Sequence, residues 1–151
     1  VRMAGADVLP YDYEEYGKEI EAYLDAAHKR AGDKFGQNTL DFHAVDEAAR
    51  RFEAAGVKML ARQKNPPTNA ARLNQALRGA ERAMLEPHGL PHRPWFRHVI
   101  YAPGEYTGYA AVVIPGVNEA LDKGDSGRAR EQLSALAAAL ERAAKALEGY
   151  R

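Results

Sequence analysis

Between residues 42 and 59 the positions Phe42, Val45, Ala49, Phe52, Gly56 and Met59 follow one another at alternating steps of three and four residues. Only a chain turning about every 3.6 residues brings such positions onto one face, so the spacing predicts an amphipathic helix with a single buried stripe. Steps averaging about 3.5 residues suit left-handed packing against neighbouring helices, as in a four-helix bundle. Asp41 is a candidate cap for this helix. Asn65-Pro66-Pro67 ends it, because proline removes an amide donor and pushes the preceding residue out of helical geometry.

Three further helices are predicted around this one. The first follows Leu9-Pro10, where Asp12 caps the free amides and Glu15 stands three residues on, the spacing of a capping box. Its apolar face is Tyr13, Tyr16, Ile20, Tyr23, Leu24 and Ala27, and Gly32 offers a left-handed stop before the polar stretch to Asn38. A third helix, capped by Thr68 or Asn69, carries Leu73, Leu77, Ala80 and Met84 up to Pro87. The fourth follows Ser126 as cap, turns Ala129, Leu133, Leu136, Leu140, Ala143, Ala144 and Leu147 inward, and ends near Gly149. The expectation is an all-α, four-helix up-and-down bundle forming one domain over residues 1–151.

Charge argues against an electrostatic partner. The chain has 21 basic and 21 acidic side chains, and Asp and Glu interleave with Arg50, Arg51, Arg62, Arg72, Arg78 and Arg82. That pattern describes solvated helix faces, so neither nucleic acid nor a membrane surface is an expected partner. With no cysteine there is no disulfide framework, thiolate zinc cluster or cysteine nucleophile. No apolar run reaches the roughly 20 residues that cross a bilayer. A chain that opens on Val1 is expected to be a fragment of something larger.

Between the third and fourth helices the sequence stops looking like a bundle. Pro87, Pro91 and Pro94 fall close together, Trp95 to Tyr101 is rich in aromatic and β-branched residues, and Gly104 and Gly108 bracket Glu105-Tyr106-Thr107. A long irregular loop is expected there, and such loops inside compact domains are usually functional.

Candidate chemistry is sparse. His43 with Glu47, and Asp25 with His28, have helical spacing for two metal ligands each, but ordinary surface neighbours have the same spacing. A di-iron bundle needs Glu-x-x-His twice, and no Glu here has a His three residues later. His-Glu-x-x-His is absent, and neither Ser126 nor Ser134 lies in a Gly-x-Ser-x-Gly elbow. No catalytic, cofactor or metal-binding residue is predicted within the chain.

The same loop carries a resemblance. Gly89-Leu90-Pro91-His92-Arg93-Pro94-Trp95-Phe96-Arg97-His98-Val99-Ile100-Tyr101-Ala102-Pro103 resembles the segment preceding the last helices in the glutamate carboxypeptidase II and transferrin receptor family. Val8-Leu9-Pro10-Tyr11-Asp12 resembles the family's join to its first C-terminal helix, and Ile114-Pro115-Gly116 with Glu119-Ala120-Leu121 resembles its Phe-Pro-Gly-Ile turn and short helix. The resemblance implies a dimerisation domain that packs on its own peptidase domain and, as a homodimer, across a two-fold axis. It also implies zinc and general base in that peptidase domain, not here, and a bacterial parent that is exported, periplasmic or membrane-anchored. In the peptidases a Lys-Tyr pair after Tyr-Ala-Pro grips a C-terminal glutamate. The matching positions here are Gly108 and Tyr109, with Tyr101 opening the segment. Loss of the lysine implies a parent that does not prefer an acidic C-terminal residue.

Two functions compete at this level. One is a non-catalytic dimerisation and pocket-completing domain of a zinc exopeptidase, in which residues 101–115 are poorly anchored without the peptidase surface. The other is a free-standing helical scaffold, as the transferrin receptor keeps the architecture without peptidase activity.

Overall fold

A computed structural model describes residues 7–105 and 110–150. Helix α1 runs from Tyr13 to Phe35. The Asp12 carboxylate accepts the Glu15 amide at 3.0 Å, as the capping-box spacing predicts. Its end differs from the expectation. Gly32 stays inside the helix, where the Gln37 side chain lies against its bare Cα, with Gln37 Nε2 2.7 Å from where a Cβ would stand. The stop is Gly36, at φ 91°, whose amide donates to the Gly32 carbonyl at 3.0 Å.

Helix α2 spans His43–Lys64, with Asp41 Oδ1 accepting the His43 amide at 2.8 Å. All six positions of the three-and-four stripe are buried. Gly56 is on that stripe for a steric reason: a Cβ there would collide with the backbone of Tyr13. Gly17 does the same from the other side, where a Cβ would stand 2.7 Å from Glu53 Cβ. Helices α1 and α2 therefore cross with backbones in close approach, and neither glycine tolerates a side chain without the helices parting.

Helix α3 is Ala71–Ala83, its first amide held by Asn69 Oδ1 at 3.0 Å. Helix α4 covers Pro115–Lys123 and helix α5 covers Ser126–Glu148. Asp125, not Ser126, caps α5: Gly124 turns the chain at φ 71°, which leaves Asp125 extended with its carboxylate 2.9 Å from the Arg128 amide. Ser126 is already helical.

Packing runs α1 on α2, α2 on α5 and α5 on α3, while α4 lies on α5 and touches α1. Ile20, Phe52, Leu73, Leu77 and Leu140 meet in one core, each about fully buried. Burying a side chain of that size contributes roughly 1.5–3 kcal/mol. The Tyr13 hydroxyl donates to the Leu77 carbonyl at 2.6 Å inside this core.

The segment between α3 and α5 corrects the expected all-α fold with a long irregular loop. Strand β1, Tyr101–Pro103, pairs antiparallel with β2, Ala111–Val113, in the register Tyr101 to Val113, Ala102 to Val112 and Pro103 to Ala111. The β-branched runs Val99-Ile100 and Val112-Val113-Ile114 favour extended chain over helix. The described residues thus carry five helices and a two-stranded sheet. Ile114 closes the sheet in the left-handed region at φ 36°, held there by complete burial and by its amide bond to the Ile100 carbonyl at 2.7 Å. Such a conformation costs a β-branched residue on the order of 1–3 kcal/mol.

Candidate functional site

Of the three residues expected to face substrate, Gly108 and Tyr109 lie outside the described residues. Tyr101 stands at the start of β1, half-buried, among aromatic rings of α1. Its ring stacks on Tyr16 with 6.0 Å between centroids and 7° between planes, and meets Tyr23 edge to face at 6.1 Å. Its hydroxyl donates to Glu19 Oε2 at 2.9 Å and lies 2.9 Å from the Tyr23 hydroxyl. Burial, then the bonds from Tyr23 and Glu19, push the Tyr101 phenol well above its ordinary range, so it stays protonated at neutral pH.

His98 completes this wall. Its Nδ1 accepts the amides of Ile100 at 3.2 Å and Tyr101 at 3.3 Å, which assigns the ring proton to Nε2, 3.2 Å from Glu81 Oε1. The ring also lies over Tyr101, with centroids 6.3 Å apart. His98 thus links the end of α3 to the first residue of β1.

A second cluster was not foreseen from the sequence. Arg93 and Glu119 are buried, 4% and 7% exposed, and form a bidentate pair of 3.0 and 2.6 Å. Arg93 comes from a loop closed by the Glu86 amide on the Arg97 carbonyl at 2.8 Å and the Leu90 amide on the Phe96 carbonyl at 2.7 Å. Gly89 at φ 71° turns that loop, where a Cβ would collide with the Pro94 carbonyl. Glu119 Oε1 also accepts the Glu105 amide at 3.2 Å. The Glu105 carboxylate in turn is held by Lys123 Nζ at 3.0 and 2.7 Å, and that ammonium lowers its pKa below the usual carboxylate range. The one sequence signal for this cluster is an arginine lodged among turn-forming prolines, where a surface side chain is the ordinary reading.

The arms of the segment expected to be poorly anchored are therefore tied. Besides the strand pairing, the Gly104 amide donates to the Ala110 carbonyl at 3.0 Å. No set of three His, Asp or Glu side chains that could hold a metal occurs among the described residues. His43 and Glu47 are exposed neighbours 3.7 Å apart, and His28 stacks on Phe42 instead of meeting Asp25. Among the described residues, no helix is long and apolar enough to cross a membrane. A cleft of about 550 Å³ lies elsewhere, between α3 and the end of α5, lined by Arg72, Gln75, Gly79, Lys145 and Tyr150.

Comparison with known proteins matches the family described as the transferrin receptor-like dimerisation domain to residues 26–148. A probable glutamate carboxypeptidase of Arthroderma benhamiae is 35% identical over 138 residues, covering 87% of this chain and 19% of its own length. The probable glutamate carboxypeptidase LAMP1 of Arabidopsis thaliana is 30% identical over 125 residues, with coverage of 81% and 18%. The probable glutamate carboxypeptidase AMP1 of the same plant is 29% identical over 158 residues, with coverage of 99% and 22%. The chain spans about a fifth of the length of these relatives. They are fungal and plant proteins and do not bear on the bacterial source expected from the sequence.

Proposed function

The chain belongs to the transferrin receptor-like dimerisation domain family, and from that we infer that it is the non-catalytic assembly domain of a larger glutamate carboxypeptidase-like peptidase. The observation that carries this reading is the coverage: the relatives align along most of this chain and only about a fifth of themselves. We read α1, α2, α3 and α5 as an up-and-down four-helix bundle, with α4 and the two-stranded sheet inserted between its last two helices. The packing of α1 on α2 and of α3 on α5, with the short connections before α2 and α3, supports that reading.

In the assembled protein the bundle pairs with a second copy and rests on the parent's peptidase domain. Zinc chemistry falls to that peptidase domain, which would supply the metal ligands and the general base. The strand β1 leads toward Gly108 and Tyr109, which complete the substrate pocket. Tyr101 fixes the start of that segment, its hydroxyl being engaged by Glu19 and Tyr23. With glycine at position 108, no ammonium pairs with an acidic substrate side chain, and a neutral C-terminal residue fits better.

Incubation of the purified chain, with and without added zinc, with a panel of N-acetylated dipeptides tests the non-catalytic part. No release of free amino acid is expected. Zinc-dependent turnover that survives chelation-free purification to homogeneity and is lost on denaturation of this chain would overturn the reading.

A further inference from the structure

We propose that His98 is an acid-sensitive latch on the start of β1: neutral, with its proton on Nε2, it holds the amides of Ile100 and Tyr101, and a second proton, taken up from solvent on Nδ1, releases them. The bonds around the ring set this up. Nδ1 accepts the Ile100 amide at 3.2 Å and the Tyr101 amide at 3.3 Å, while Nε2 lies 3.2 Å from Glu81 Oε1. That nitrogen has one lone pair in the neutral ring and none in the imidazolium ion. A proton on Nδ1 and the two amide bonds therefore exclude each other.

The groups packed about the ring decide which side gives way. Glu81 of α3 faces Nε2, and its bond strengthens once the ring carries full charge. On the other side stand Tyr101, whose hydroxyl bonds to the Glu19 carboxylate of α1, and the Tyr16 and Tyr23 phenols that flank it. Tyr13 of α1 lies near Glu81. From α5, Arg142 donates to the carbonyls of Ala83 and Leu85 at 3.3 and 3.5 Å, and Arg97 is turned onto the Glu86 carbonyl at 3.1 Å. Among these, Glu81 is the charged group within bonding distance of the ring. The main chain beside the ring is also fixed. His98 pairs antiparallel with Leu85, and the Val99 amide donates to the Met84 carbonyl at 3.2 Å. The ring thus stays seated on α3, and the amides of Ile100 and Tyr101 yield.

The side chain of His98 is 22% exposed, so a proton reaches it without the core opening. Ile100, by contrast, is fully buried. Its amide, once freed, meets no water in place, and the start of β1 has to shift to satisfy it. The proton makes no demand on the apolar core around Phe52 and Leu140. Acid is therefore read out at one end of the sheet.

The test follows the Nδ1 chemical shift of His98 and amide exchange in this chain from about pH 8 to about pH 5, the span over which histidine ordinarily changes charge. Exchange rates are divided by those of the unstructured chain at each pH. As Nδ1 takes up its proton, the Ile100 and Tyr101 amides are each expected to lose about tenfold in protection, the factor that goes with one lost hydrogen bond. Amides of α2 should keep theirs. A ring that takes no proton on Nδ1 over this span, or one that does so with both amides as protected as before, would overturn the proposal. His98→Asn places a carbonyl oxygen, which does not titrate, near the position of Nδ1. In that variant the protection of Ile100 and Tyr101 is expected to be level across the span; the wild-type acid loss recurring there would assign the effect to another group and overturn the proposal. If His98→Asn fails to fold, the wild-type titration decides alone.

Discussion

Phe52 and Arg93 are both buried, and opposite physics keeps them there. Phe52, fully enclosed, meets Tyr13 and Tyr16 edge to face at 5.5 and 6.2 Å and is surrounded by apolar side chains of the helical core. Nothing about its place depends on direction beyond ring geometry, and its burial is favourable by itself. Arg93 is enclosed only because Glu119 answers its charge and a backbone-bonded loop carries it inward. The helices are thus held by area, which is cooperative across the whole core and includes Ile100 and Ile114, whereas the loop that carries Arg93 is closed by directional bonds.

The sharpest way to break that contrast is in the core. Phe52→Ala is expected to lower global stability by about 3–5 kcal/mol, read from the shift of a urea unfolding curve followed by helical circular dichroism. A loss confined to a few tenths of a kcal/mol would mean the four helices do not share one core. Next in size is Gly89→Ala, which forces an L side chain into positive φ against the Pro94 carbonyl and is expected to cost about 1–3 kcal/mol. Its signature should be local: faster exchange of the Leu90 and Glu86 amides with the helical unfolding curve scarcely moved. Equal loss of protection in α2 would show that the two regions unfold as one.

The smallest effect is electrostatic and sharpens the comparison at the edge of the helical packing. Glu21 on α1 has its pKa raised, first by burial and then by the neighbouring Glu53. A raised folded-state value means that its contribution is present below the unfolded value, about 4.3, and is lost as pH rises through the folded one. Glu105 and Glu148 have lowered values, through Lys123 and Arg51, and act in the opposite sense, losing their contribution as pH falls. Glu21→Gln is therefore expected to be more stable than wild type at neutral pH, with the difference shrinking toward acid. Urea midpoints taken at several pH values check the slope, and a difference that grows toward acid would reverse the assignment.

The same contrast explains what could be read in advance. Periodicity reports area, so the stripes of α2 and α5 could be traced residue by residue, and every position assigned to them is buried. Caps were readable where the carboxylate stands beside the first turn, as at Asp12, and misplaced where a glycine shifts the turn by one, as at Asp125. The strands were missed because three-residue pairs have too few positions to display alternation, although Val112 and Val113 carried a β signal. The Arg93–Glu119 pair joins positions 26 residues apart, and no periodicity links a loop arginine to a helix glutamate. The family resemblance located the segment around Tyr101, yet it could not say that the Tyr101 hydroxyl is spent on Glu19 and Tyr23.

The central claim is that this chain is an assembly domain, and its association state tests that most directly. Sedimentation equilibrium of the purified chain over a hundredfold range of concentration is expected to fit a reversible homodimer of twice 16.6 kDa. A single monomeric species across the whole range would contradict the account.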